Sequence, residues 1–361
     1  MNHDEQYMSQ ALRLASSAHT VSAPNPAVGC VIVRNGQVIG AGFTQPPGGN
    51  HAEIEALSDA AAKGHDVRGA TVYVTLEPCS HFGRTPPCCD ALIRAGVARV
   101  VAAIEDPNPL VAGQGLARLK AAGIEIVSDV LADEAREMNI GFFSRMQRGT
   151  PWVRMKVAAS LDGKTALADG QSQWITSSAA RDDGHAWRAR AGAILTGIGT
   201  VNADDPQMTV RALTVVRQPL RIVIDSKLAI SPDARVLAGG GSLMVAAQSN
   251  PEKEARLRDL GCEVIVLPNA TGKVDLSALM QELGRRQINE LHVEAGAKLN
   301  GSLIREGCVD ELLLYLAPSL IGDGMPMFVL GALESLQHKR LLRFHEIRQI
   351  GEDLRILARF N

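Results

Sequence analysis

Apolar and polar positions alternate along this chain in two rhythms. The first twenty residues, "MNHDEQYMSQALRLASSAHT", repeat apolar side chains three and four apart, so Tyr7, Met8, Ala11, Leu12, Leu14 and Ala15 share roughly one side of a helix. "CVIVRNGQVIGAGF" sets two apolar runs around Asn35-Gly36, a pair suited to a type I′ turn, and predicts a β-hairpin. A loop, "TQPPGGN", leads into the helix "HAEIEALSDAAAKG", closed by Gly64. "ATVYVTLE" reads as a buried strand, "CCDALIRAG" as a short helix ending at Gly96, "ARVVAAIE" as a strand, "GLARLKAAG" as a helix and "IEIVSDV" as a strand. Helices interleaved with apolar strands predict a layered α/β domain whose sheet is mostly parallel after the hairpin.

"DEAREMNIGFFSRMQRGTPW" reads as one closing helix followed by the breaker Gly149-Thr150-Pro151. This places a boundary between domains spanning 1–147 and 148–361. The second part restarts with "WVRMKVAASLDGKTA" and carries its own alternation: "AILTGIG", "RIVIDS", "SLMVAA", "CEVIVLP", "ELHVEAG", "ELLLYLAP". "FHEIRQIGEDLRILARF" reads as a terminal antiparallel pair. There is no repeat between the halves and no low-complexity tract.

Length supports the division, since 361 residues exceed most single cores. A hydrophobic content of 46% with 21% charged residues is ordinary for globular chains. The net charge of −2, without a long Lys/Arg run, argues against a nucleic-acid face while leaving room for a small phosphate pocket. The N-terminus lacks the pattern of a signal peptide, and no apolar stretch is long enough to span a bilayer. The expected location is therefore cytoplasmic, where clustered cysteines bind metal or do chemistry more often than they form disulfides.

Three of the six cysteines fall within "LEPCSHFGRTPPCCD", Leu76 to Asp90. A catalytic zinc site takes three protein ligands and keeps a place for water. His51-Ala52-Glu53 and Pro78-Cys79 match most of the H-x-E … P-C-x-x-C pattern of zinc nucleobase deaminases. The second Cys departs from it, because eight residues separate Cys79 from Cys88. The insertion "SHFGRTPP" is loop-forming, and the prolines set Cys88 at the start of a helix, where a thiolate is favoured. Cys89 reads as a buried small hydrophobe. A helix-capping role for His51 is one alternative. A structural zinc site with His81 as fourth ligand is another, and would suit a non-enzymatic binding protein. In the catalytic reading, Glu53 carries protons from water to the ring nitrogen and the leaving ammonia.

"NPAVGCVIV", "HAE" and "TLEPCSHFGRTPPCCDALI" resemble the deaminase half of the bifunctional riboflavin biosynthesis deaminase/reductase family. The resemblance implies a cytidine-deaminase-like three-layer domain with one Zn2+ per chain on His51, Cys79 and Cys88, and Glu53 as proton shuttle. It also implies that Asn25, His81 and Arg84 face the substrate. Read alone, Asn25 is a turn residue before Pro26 and Arg84 a solvated loop charge.

The second half has neither a P-loop nor a G-x-G-x-x-G fingerprint. "LTGIGTV" is a weak signal. In "LHVEAGAKLNGSLI", a strand leads through Glu294 and Gly296 to a helix whose first N–H groups can hold a phosphate. "KVAASLDGKTA", "GQSQWIT", "ILTGIGTVNADDPQMTVR", "RIVIDS" and "HVEAG" are similar to the reductase half of the same family. That similarity implies a dihydrofolate-reductase-like α/β domain binding NADPH. Carried over by position, Ala158, Trp174, Thr200, Asp204, Ser226 and the turn Gly296, Ala297, Lys298, Leu299, Asn300, Gly301 and Ser302 hold the cofactor. Ser172, Arg188, Met208, Arg211 and Glu294 hold the substrate, and Lys156 is the catalytic residue expected near the ribose. Arg188 and Arg211 suit phosphate clamps, with surface ion pairing as the bland alternative; Trp174 could equally be core packing.

The resemblance thus implies deamination of 2,5-diamino-6-ribosylamino-4(3H)-pyrimidinone 5′-phosphate, followed by NADPH reduction of the ribosyl group to ribityl. The expected partner is this pyrimidine ribotide, with no nucleic acid and no membrane, in a homo-oligomer, a dimer being favoured. A nucleoside or tRNA deaminase with an unrelated C-terminal domain is the competing enzyme.

Overall fold

In the computed structural model, which describes residues 2–82, 86–109 and 111–361, the hairpin forms as its turn pair dictates. Strands β1 (Gly29–Arg34) and β2 (Gln37–Phe43) meet at Asn35 and Gly36, both left-handed with φ of 51° and 75°. Ahead of them, α1 (His3–Ala18) opens with a capping box. Asn2 accepts the Glu5 N–H at 2.8 Å, and the Glu5 carboxylate accepts the Asn2 N–H at 2.9 Å. Its face of Met8, Ala11, Leu12, Ala15 and Ala18 is buried. Gly29 lets α1 lie close on β1, since a Cβ there would collide with the Ala11 carbonyl oxygen. The remaining elements are α2 (Ala52–Ala62), β3 (Thr71–Val74), α3 (Cys88–Ala95), β4 (Arg99–Ala102), α4 (Gln114–Ala121) and β5 (Glu125–Val127). The sheet runs β2-β1-β3-β4-β5 and is parallel from β3 onward.

The closing helix is two helices, α5 (Ala132–Met138) and α6 (Ile140–Arg148), where one was expected. Asn139 separates them. Its side chain is buried, accepts the Ala27 N–H at 2.8 Å and donates to the Ala27 carbonyl at 2.9 Å. Satisfying that distant backbone pair outweighs one continuous helix.

The chain divides into two compact units, Met1–Gly149 and Thr150–Asn361. The second contains β6 (Trp152–Ser160), β7 (Lys164–Leu167), α7 (Ser178–Arg190), β8 (Ala193–Gly197), α8 (Ile198–Asp204), β9 (Leu220–Ile224), β10 (Ser242–Ala246), α9 (Pro251–Asp259) and β11 (Cys262–Val266). It continues with α10 (Leu276–Arg285), β12 (Glu290–Val293), α11 (Ala297–Arg305), β13 (Glu311–Ala317), β14 (Gly324–Pro326), β15 (Leu342–Ile350) and β16 (Asp353–Phe360). Nine strands form one sheet in the order β11-β10-β9-β8-β12-β6-β13-β16-β15, antiparallel only at the last two pairings; β14 pairs with β7 separately.

Both faces of the central parallel strands are covered, which explains their near-continuous apolar sequences. Leu195, Ile222 and Val245 join one core with α10 and α11, while Ile194, Val223 and Met244 join another with Val201, Leu237 and Leu257. Arg154 is buried within this unit. It pairs with Glu290 at 2.7 Å and Glu311 at 2.5 Å, which bind Arg190 and Arg359 in turn. Among the described residues, no helix is long and apolar enough to cross a membrane.

Candidate active sites

The first site forms where α2 and α3 begin. His51 precedes α2 in extended conformation and makes no side-chain cap hydrogen bond, so the capping reading does not hold. Its Nδ1 lies instead 3.6 Å from the Cys79 Sγ and 3.4 Å from the Cys88 Sγ. A tetrahedral ion with ordinary Zn–N and Zn–S bonds sets such donors about 3.6 Å apart. All three donor atoms lie within 4.8 Å of one another. The donor set and its spacing therefore fit zinc.

The thiols differ by environment. Cys88 opens α3 and directs its backbone N–H at the Cys79 Sγ, 3.3 Å away. The Cys88 thiol and His51 join that N–H in holding the Cys79 thiol below its ordinary range, against the effect of burial. Cys89 points away: its thiol donates to the carbonyls of Pro78 at 3.3 Å and Gly115 at 3.5 Å, and burial pushes it up to about 12. It behaves as the small buried residue expected.

Glu53 is the second residue of α2 and is buried. Burial, then the neighbouring Cys79, raise its carboxyl to about 7. A carboxyl with that affinity can take and return a proton near neutrality. His81 is exposed and outside the donor cluster, so among the described residues the four-ligand structural site is not assembled. Asn25 is half-buried in the turn before β1, its backbone N–H on the Ser22 carbonyl at 2.9 Å. Arg84 lies outside the described residues. Sequence reading missed Asp106, in the loop after β4. Burial raises its carboxyl to about 6, and the charges of Glu77, His81 and Cys79 act on it. No residue pattern around Asp106 announces this, because Glu77, Cys79 and His81 arrive from the segment after β3.

In the second unit, Arg188 on α7 and Glu294 after β12 form a bidentate pair, with Nε–Oε1 at 2.5 Å and Nη2–Oε2 at 2.8 Å. The remaining Arg188 nitrogen, Nη1, donates to the Thr209 carbonyl at 3.1 Å. The guanidinium expected to clamp phosphate is thus committed to a carboxylate. Arg211 is exposed; its backbone N–H donates to His185 Nδ1 at 3.3 Å and its guanidinium to the Thr209 hydroxyl at 3.4 Å, which leaves it the freer cation of the two among the described residues. Lys156 is on β6, its ammonium 6.0 Å from the centre of the Tyr315 ring; burial lowers its pKa, and the charge of Glu294 opposes that. His292 Nε2 lies 3.2 Å from the Glu294 carboxylate.

The expected cofactor residues separate by position. Trp174 is 69% exposed, with the Arg181 guanidinium 4.5 Å from its ring, so it is not core packing. Gly296 is exposed at the N-cap of α11, and a Cβ there would sit 3.7 Å from the Thr200 hydroxyl, so α8 and α11 begin side by side. Ala158, Ser172 and Ser226 are half-buried, Asp204 is exposed, and Met208 is buried with φ of 53°. The segment 296–302 is the first turns of a helix instead of a turn throughout. Its Asn300 and Gly301 face inward, Gly301 so tightly that a Cβ would strike the Val329 carbonyl oxygen. Gly296, Ala297 and Lys298 remain at the helix start.

Comparison with known proteins identifies the family of both halves. Residues 1–104 match the cytidine and deoxycytidylate deaminase zinc-binding region, and residues 151–356 match the RibD C-terminal domain. The riboflavin biosynthesis protein RibD of Escherichia coli (strain K12) is 47% identical over 97% of this chain and 98% of its own. The Acinetobacter baumannii RibD structure (form 1) superposes with a TM-score of 0.91 at 41% identity, covering 99% of each chain. A Thermotoga maritima structure does so with 0.89 at 31% identity, again over 99% of each. It is described as a diaminohydroxyphosphoribosylaminopyrimidine deaminase/5-amino-6-(5-phosphoribosylamino)uracil reductase. The match of the second half disfavours a nucleoside or tRNA deaminase with an unrelated C-terminal domain. With a cytidine-deaminase-like domain before a reductase domain, the chain belongs to the RibD family of bifunctional deaminase/reductases of riboflavin biosynthesis.

Proposed function

We propose that the N-terminal unit deaminates 2,5-diamino-6-ribosylamino-4(3H)-pyrimidinone 5′-phosphate. The C-terminal unit then reduces the ribosyl group of 5-amino-6-(5-phosphoribosylamino)uracil to ribityl. The observation that carries the first half is the convergence of His51, Cys79 and Cys88 beside the buried carboxyl of Glu53. These three residues hold one zinc ion per chain, which when bound supplies a Lewis acid and a water acidified toward neutrality. Glu53 carries one proton of that water to the ring nitrogen, which keeps it, and the second, from the newly added hydroxyl, to the departing amine. The amine leaves as ammonia and its carbon keeps the water's oxygen. Asn25, His81 and Arg84 hold the ribotide.

In the C-terminal unit NADPH supplies the hydride. Ala158, Trp174, Thr200, Asp204, Ser226 and the residues from Gly296 to Ser302 form its site, with the start of α11 as their centre. Arg211 meets the substrate phosphate, with Ser172 and Met208 beside it, while the Arg188–Glu294 pair and Lys156 face the ribose. The acceptor is the ring-opened, electrophilic form of the sugar. A homodimer in the cytoplasm fits the six free cysteines and the exposed Phe344 and Ile347 on the sheet-edge strand β15.

Mass spectrometry of the diaminopyrimidinone ribotide, incubated with and without NADPH, tests both halves. The expected result is amine-to-oxo exchange without NADPH and a further gain of two hydrogens with it. No exchange by zinc-loaded protein rejects the deaminase assignment.

A further inference from the structure

Glu77 lies two residues before Cys79 and is 4% exposed. Its carboxylate accepts four backbone N–H bonds. Oε1 takes those of Gly115 at 2.7 Å and Leu116 at 3.2 Å; Oε2 takes those of Gly113 at 2.9 Å and Asp106 at 3.1 Å. The cause is local. α4 begins after Gly113, which has no side chain to cap it and holds φ at 73°. Glu77 reaches in from a different segment and satisfies the open N–H groups of that first turn.

The same clamp grips the metal site. Gly115 packs flush on Pro78, where a Cβ would collide with the Pro78 carbonyl oxygen. The Cys79 carbonyl accepts the Cys89 N–H at 3.2 Å. Pro78-Cys79 is therefore held on one side by α4, through Glu77 and Gly115, and on the other by α3, through Cys88 and Cys89. The loop carrying Asp106 hangs from the same carboxylate.

We infer that Glu77 is a positioning residue of the deaminase site, fixing both the Cys79 thiolate and the Asp106 loop. The inference rests on Cys79 being a zinc ligand. An amide cannot do both tasks. A glutamine at position 77 keeps the size, but one of its polar atoms is a donor facing two N–H donors.

The test uses the full-length, zinc-loaded enzyme with Glu77→Gln, and Gly115→Ala as an independent push on Pro78. Zinc release to a chromogenic chelator is timed, and deaminase kcat and KM are measured per bound zinc, well below each variant's Tm. Zinc release in Glu77→Gln should be faster, and kcat per zinc lower, each by about ten- to hundredfold, the usual effect of losing support behind a metal ligand. Reduction by the same chain serves as the control. A lowered Tm with zinc release and kcat per zinc unchanged means that Glu77 only stabilises the fold, and overturns the inference. If Glu77→Gln does not fold, Gly115→Ala decides by the same readouts. A Cys79→Ser variant separates the failures: if it keeps zinc at wild-type stoichiometry, the metal reading itself falls.

Discussion

The two sites are built from different materials. The candidate metal site is made of side chains: one imidazole, two thiols and one carboxyl, brought together by the starts of two helices. The proposed nicotinamide site leans on the backbone at the starts of α8 and α11 and on the small residues there. A metal demands a few donor types at short range. A dinucleotide accepts many surfaces that offer N–H groups and room. The first kind of site can be read from residue types, and the second only by likeness to a known pattern.

The sharpest break between them is Glu53→Gln. Deamination should fall by about 10²–10⁴-fold, the usual contribution of a general acid–base group, with zinc content and reduction of the deaminated ribotide unchanged. Loss of zinc in this variant would make Glu53 a ligand and remove the contrast. Next comes Glu294→Gln, which leaves Arg188 buried beside a neutral amide. The kcat/KM of reduction should drop on the order of tenfold or more, while deamination stays at its wild-type rate. Equal loss of both activities would mean that the pair serves the fold and not the site.

Stability sharpens the comparison further, because the second unit buries more ionic groups. Burial resists ionisation of Glu290, but Arg190 and Arg154 outweigh it and hold its carboxyl down to about 2. A folded value below the ordinary 4.5 means these pairs add full stability above about pH 4.5 and lose it as pH falls toward 2. Glu290→Gln should cost on the order of 3–5 kcal/mol in denaturant unfolding near neutral pH and flatten the acid limb. An unchanged acid limb would show that other carboxylates govern it. The smallest effect belongs to Cys89→Ala. Zinc stoichiometry should stay the same, with about 1 kcal/mol of stability lost with its two hydrogen bonds.

Local chemistry was legible in the sequence. Asn35-Gly36 announces its turn, and the α1 face of Met8, Ala11, Leu12 and Ala15 announces its burial. His51, Glu53, Cys79 and Cys88 are recognisable because each is a chemically specific residue with a helix or a proline beside it. What escaped is pairing at long range. Arg188 and Glu294 stand 106 residues apart, and Asn139 stands 112 from Ala27. Nothing near either partner marks the other, so an arginine committed to a carboxylate looks the same on paper as one free for phosphate. Glu77 escaped for the same reason, since a carboxylate that serves only backbone N–H groups leaves no trace in the residues it serves.

The two compact units share one polypeptide. Every translation event therefore delivers one deaminase with one reductase, whatever the strength of the promoter or the rate of decay. Their ratio needs no regulation and does not drift with growth.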